Sequence, residues 1–139
     1  MKLSWNEIWM NLAKNISTRS NSESLKVGCV IVTSDNETIL SLGYNGDEKG
    51  GANKPDNTEP GKSGWIHAEM NAIAKMNYND HRPRAIYLTH SPCAICSRLI
   101  INAKIEKVVF MESYRDMTGL DILRDRGIVV EHISDHLWE

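Results

Sequence analysis

A three-layer α/β/α sandwich around a mixed five-stranded sheet is the fold that this sequence predicts. Three observations lead there. Two neighbouring apolar runs open the pattern as a hairpin, and helical and strand-like segments then alternate to the end. The length of 139 residues suits one domain, and no repeat, low-complexity tract or linker divides it, so 1–139 reads as a single unit. Hydrophobic residues at 41% and charged residues at 24% are ordinary globular usage, which excludes a disordered or fibrous chain.

Each element has its own local reason. Trp5, Ile8, Trp9, Leu12 and Ile16 recur at helical spacing behind Ser4, an N-cap residue type, and the polar stretch 17–24 ends that helix. Val27 to Val32 is a continuous apolar run rich in β-branched residues, the pattern of a buried strand. Asp35-Asn36 supplies a turn, and Thr38 to Gly43 pairs back as the second strand. A long loop rich in Gly, Asn, Pro and Lys follows to Gly64; loops of this length in a compact domain are usually lids or binding loops. A helix is expected from Ile66 to Asn77, a strand from Ala85 to Thr89, and a helix through Asn102 opened by Ser91 as N-cap and Pro92 at its first position. Val108 to Phe110 reads as the fourth strand, Leu120 to Arg126 as a short helix stopped by Gly127, and Ile128 to Val130 as the fifth strand.

Sixteen basic against 18 acidic residues leave a net charge of −2, which argues against a bulk electrostatic grip on nucleic acid. No apolar run approaches the roughly 20 residues of a membrane span, so no membrane partner is expected. The N-terminal segment has no apolar core of a secretory signal, and three cysteines are too few and odd in number for a disulfide scaffold. A reducing, cytoplasmic setting follows, in which spaced cysteines more often bind metal.

Two segments carry chemistry: His67-Ala68-Glu69 and Pro92-Cys93-Ala94-Ile95-Cys96. Cys93 and Cys96, three residues apart at a helix start, bring their sulfurs toward one point, and the helix N-terminus favours their thiolates. Alone, the cysteine pair fits a redox couple or half of a structural zinc site, and a lone histidine at a helix start fits a packed residue. Together they supply two thiolates and one imidazole. Three protein ligands with an open position are the catalytic arrangement of Zn²⁺, which makes a water there acidic near neutral pH. Glu69 is placed to move protons rather than to ligate. Closing the site structurally would need a fourth ligand, His90 or Cys29; Cys29 lies in an apolar strand and reads as a small core residue. His90 reads equally as a pocket residue or a strand-end histidine in water.

The pairing of His-x-Glu with Pro-Cys-x-x-Cys is that of zinc-dependent nucleobase deaminases. With Lys26-Val27-Gly28, Gly43-Tyr44-Asn45-Gly46, His90 to Cys96 and Leu99 to Ala103, the chain resembles the deoxycytidylate (dCMP) deaminases of the cytidine deaminase superfamily from about Lys26 to Val130. That resemblance implies hydrolysis of dCMP to dUMP and ammonia, supplying dUMP for thymidylate synthesis. It assigns His67, Cys93 and Cys96 as zinc ligands and Glu69 as the proton carrier. It further implies substrate contacts at Lys26 (the 5′-phosphate), Asn45 (a sugar hydroxyl), Ala68, Ser91, Pro92 and Tyr114. An effector site for dCTP with Mg²⁺ or for dTTP is implied at Gly43, Tyr44, Asn45 and Gly46, in a homo-oligomer, commonly a hexamer. Residues 47–65 contain no Cys or His, so one zinc per chain is expected. The competing readings are a deaminase of free nucleosides, guanine or tRNA adenosine, and a non-catalytic nucleotide sensor on the same fold.

Overall fold

The most apolar segment of the sequence becomes the centre of the sheet. Gly28–Thr33 forms strand β1, and all six of its residues are buried. In the computed structural model, which describes residues 2–114 and 116–134, β1 is flanked by β2 (Ile39–Tyr44) and β3 (Arg84–His90), both antiparallel to it. Strands β4 (Ile105–Glu112) and β5 (Val129–His132) then add in parallel, giving the order β2-β1-β3-β4-β5. Successive residues of a strand point to opposite faces. Cys29 and Ile31 therefore pack, with Ile86, Leu88 and Phe110, under helices α2 (Ala68–Ala74), α3 (Ala94–Asn102) and α4 (Thr118–Asp125). Val30 and Val32, with Tyr87 and Val109, meet Trp9, Met10 and Ala13 of α1 (Trp5–Ser17) on the other face. Three helices on one face and one on the other make the three layers, and the mixed sheet is the one expected.

The α1 start forms as its sequence dictates. The Ser4 hydroxyl accepts from the Glu7 amide while the Glu7 carboxylate accepts from the Ser4 amide, a reciprocal capping box. Other ends shift for tertiary reasons. Helix α2 starts at Ala68 rather than Ile66, because Ile66 is drawn into an antiparallel bridge with Gly46. It stops at Ala74 because the Asn77 amide turns away to donate to the Leu40 carbonyl of β2. The cap of α3 is Cys93, not Ser91. The Cys93 sulfur accepts from the Cys96 amide at 3.5 Å, and the Ser91 amide is committed to the Glu112 carbonyl of β4.

Two glycines set how close helices approach. A Cβ at Gly28 would lie 2.1 Å from the Ala13 carbonyl oxygen of α1, and one at Gly43 would lie 2.5 Å from the Ala68 oxygen and 2.8 Å from the Ala72 nitrogen of α2. Gly43 is thus small enough for α2 to lie on β2. Gly43→Ala is expected to lower stability by about 1–3 kcal/mol, because the obstacle is backbone that cannot yield without moving α2. Chemical denaturation with and without saturating zinc measures the loss.

Candidate active site

Two helix starts converge on one point. His67 is the N-cap of α2 and Cys93 the N-cap of α3, with Cys96 one turn inside. His67 Nδ1 lies 3.2 Å from Cys96 Sγ and 3.6 Å from Cys93 Sγ, and all three donor atoms fall within 4.8 Å of one another. A tetrahedral zinc with bonds of about 2.0 Å to nitrogen and 2.3 Å to sulfur separates its ligand atoms by about 3.5–3.8 Å, so these residues fit that ion. Among the described residues this is the only group of three such side chains. Cys29, fully buried, instead directs its thiol to the Ala68 carbonyl at 3.3 Å.

The charges are divided unequally. Hydrogen bonds from the Cys96 thiol and from His67 lower the Cys93 thiol to about 3, so Cys93 is the thiolate. Cys96 is pushed up, first by that thiolate partner and then by burial, and keeps its proton. His67 is raised, chiefly by its hydrogen bond to Cys93. Glu69, two residues into the same turn, is 5% exposed; burial raises its carboxyl above the usual range. A desolvated acid beside these three donor side chains holds its proton more readily than an exposed one, which suits it to proton transfer at the site.

A cavity of about 560 Å³ opens over these groups, within the size range of small-molecule sites. Its floor is His67, Ala68, Glu69 and Cys93, and Asn45 and Tyr114 stand on its walls. Asn45 is anchored by the ends of its amide: Oδ1 accepts from the Val27 amide at 2.9 Å and Nδ2 donates to the Leu25 carbonyl at 2.9 Å. One N–H of that amide remains for the cavity.

Other expected contacts lie elsewhere. The Ser91 hydroxyl, 1% exposed, accepts from the Tyr114 amide at 2.9 Å, so it positions the cavity wall instead of lining it. Pro92 is buried and packs its carbonyl against Gly119, again outside the lining. The Lys26 ammonium donates to the Ser20 carbonyl and does not line the cavity, although its neighbours Leu25 and Val27 do. Unforeseen lining residues are Ser22, Ser24, Ser63, Trp65 and Asp116. In the sequence the polar stretch 17–24 carries only a helix-ending pattern and Trp65 belongs to no motif, so neither marks a cavity wall.

A second cavity of about 340 Å³ lies on the other side of the β2 terminus, lined by Tyr44, Asp47, Lys49, Asn71 and Lys75. Of the four expected effector residues only Tyr44 borders it. Asn45 faces the first cavity, Gly43 underlies α2, and Gly46 is paired with Ile66. Asn71 of α2 donates to the Tyr44 carbonyl at 2.9 Å, so one strand end and one helix wall both cavities.

Comparison with known proteins agrees with this arrangement. The family model for the cytidine and deoxycytidylate deaminase zinc-binding region matches residues 3–112. The human deoxycytidylate deaminase is 36% identical over 127 residues, which are 82% of this chain and 68% of that protein. A probable deoxycytidylate deaminase of Caenorhabditis elegans is 35% identical over 111 residues, 76% of this chain; the match spans only 56% of the nematode protein. Among solved structures, the dCMP deaminase of the cyanophage S-TIM5 in complex with dCMP and dUMP superposes with a TM-score of 0.83 at 33% identity, covering 96% of this chain and 99% of that one.

Proposed function

From membership of the cytidine and deoxycytidylate deaminase family, to which this chain belongs, we propose that it hydrolyses dCMP to dUMP and ammonia. The observation that carries the reading is the buried Glu69 beside the His67, Cys93 and Cys96 donor atoms, at the floor of a nucleotide-sized cavity. Likeness to deoxycytidylate deaminases, and to one solved with dCMP and dUMP, supports the choice of substrate. His67, Cys93 and Cys96 would hold Zn²⁺, which supplies an acidified water and charge stabilisation when bound. Glu69 would accept one proton from that water and pass it to the ring nitrogen beside the reacting carbon. It would then take the proton of the hydroxyl left on that carbon and hand it to the departing amine, so that ammonia leaves and the carbonyl of dUMP forms. Its raised pKa suits both directions of transfer. Asn45 orients the sugar through its remaining amide N–H. Ala68 and Tyr114 border the base, and Lys26 reaches the phosphate after leaving the Ser20 carbonyl.

Regulation belongs to the same reading. The second cavity offers the ammonium groups of Lys49 and Lys75 for a triphosphate, the Tyr44 ring for a base and the Asp47 carboxylate for Mg²⁺. Its shared wall with the active site gives dCTP and dTTP a route to opposite effects. Lys75→Ala is expected to weaken inhibition by dTTP at least fivefold while leaving zinc content unchanged, read as the shift of the inhibition curve. Homo-oligomerisation, a hexamer being the expected form, rests on the resemblance alone, and a cytoplasmic setting on the cysteine usage; among the described residues no helix is long and apolar enough to cross a membrane.

The test is ammonia release from dCMP, deoxycytidine and CMP in parallel, with dCTP and Mg²⁺ or dTTP added. Turnover of dCMP, raised by dCTP and lowered by dTTP, is expected. Turnover of deoxycytidine with dCMP inert would overturn the phosphate reading. Inertness toward all three by zinc-loaded protein would turn the assignment toward another base or a sensor.

A further inference from the structure

His90 takes no part in the chemistry above, yet both of its ring nitrogens are engaged. It ends β3, in register with Glu112 of the parallel β4. Its Nε2 lies 3.1 Å from Glu112 Oε2 and its Nδ1 lies 2.8 Å from Thr89 Oγ1. The Thr89 oxygen itself accepts from the buried Gly28 amide at 3.1 Å. These contacts fix the tautomer. A carboxylate only accepts, so Nε2 carries the proton, and Nδ1 accepts the Thr89 hydroxyl. Burial holds His90 below the usual histidine range against the pull of Glu112, which agrees with a neutral ring.

The face of that ring lies against Tyr114, centroids 5.9 Å apart and planes 28° from parallel. Tyr114 sits beyond the last residue of β4 and has no strand of its own to hold it. Its backbone is tied to Ser91 and its ring to His90, two consecutive residues at the end of β3.

We propose that His90, locked by Thr89 and Glu112, is a positioning residue that holds the Tyr114 ring in place as a wall of the substrate cavity. The role rests on the reading that this cavity takes the substrate. A side chain already ordered in the free protein spares the cost of ordering it on binding, so loss of the lock should raise KM by about three- to tenfold. The chemistry at Glu69 should be little affected, with kcat within about twofold.

The experiment uses full-length, zinc-loaded protein. Steady-state kinetics with dCMP compare the parent with His90→Ala, Glu112→Ala, Tyr114→Ala and the two double variants that contain Tyr114→Ala. Expected are the KM increase in His90→Ala, in Glu112→Ala and in His90→Phe, which keeps a stacking ring but loses both hydrogen bonds of the lock, and little further increase once Tyr114 is gone. An unchanged KM in the single variants, or effects that multiply with Tyr114→Ala, would overturn the proposal. Glu112 has a side chain 56% exposed, so its variant serves should His90→Ala fail to fold. Aromatic ¹³C relaxation of ligand-free, zinc-loaded protein tests the same idea without substrate. A lower order parameter for the Tyr114 ring in Glu112→Ala is expected, and an unchanged one refutes the lock. A parent inert toward dCMP would instead count against the substrate reading, with the relaxation result still deciding the positioning role.

Discussion

Glu69→Gln is expected to abolish turnover and, in metal-free protein, to raise stability. Losing the one group placed to carry protons should reduce kcat by about 10²–10⁴-fold, the usual worth of general acid–base catalysis. Stability moves the other way because Glu69 is 5% exposed and burial raises its folded pKa. A carboxyl raised on folding stabilises the protein fully only below its unfolded value, near 4.3, and that contribution is lost as pH rises through the folded value. As pH rises above the unfolded value the parent therefore loses stability that a neutral Gln retains. A gain of about 0.5–2 kcal/mol is expected, growing from pH 4 to 7 and shrinking when zinc supplies a compensating charge. Urea titrations of both proteins at several pH values, with chelator and with zinc, measure it. Equal stability at every pH would show that Glu69 is better solvated than its burial implies.

Cys96→Ser should lose zinc and stability together. Cys96 is fully buried on the inner turn of α3, and metal binding there is also folding energy for α2 and α3. The expected outcome is less than one tenth of stoichiometric zinc after dialysis, no turnover, and loss of the stabilisation that zinc gives the parent. Because Cys96 keeps its proton without metal and His67 is raised, zinc uptake near neutral pH should release about one to two protons per ion, and affinity should climb with pH. Metal analysis and proton-release titration in weak buffer read both effects. Stoichiometric zinc in the variant would remove Cys96 from the ligand set.

What was legible in the sequence was short-range. The Ser4–Glu7 capping box, the apolar run of β1 and the three metal-binding side chains are each specified within a few residues, or by two compact motifs at helix starts. Element order and sheet type followed from alternation of helix and strand patterns. Element ends were less legible, because Ile66 and Ser91 commit their backbones to Gly46 and Glu112, partners far away in the chain.

The cavity walls were legible only in part, since a wall is a property of packing. Ser22, Trp65 and Asp116 come from three loops with no shared pattern, and only the closed fold sets them around His67. Ser91, an N-cap by its sequence, instead holds the Tyr114 backbone while Cys93 caps α3. The close approach of the α2 backbone to Gly43 is likewise a product of packing.

By itself, then, the sequence determined the layers, the ligand trio and the acid beside it, because helix caps, strand runs and closely spaced ligands are local in origin. Only the tertiary structure decided that Glu69 is desolvated, that Asn45 and Tyr44 face different cavities, and that His90 lies against Tyr114. Burial and stacking depend on which distant segments come to share a space, and no local spacing encodes that.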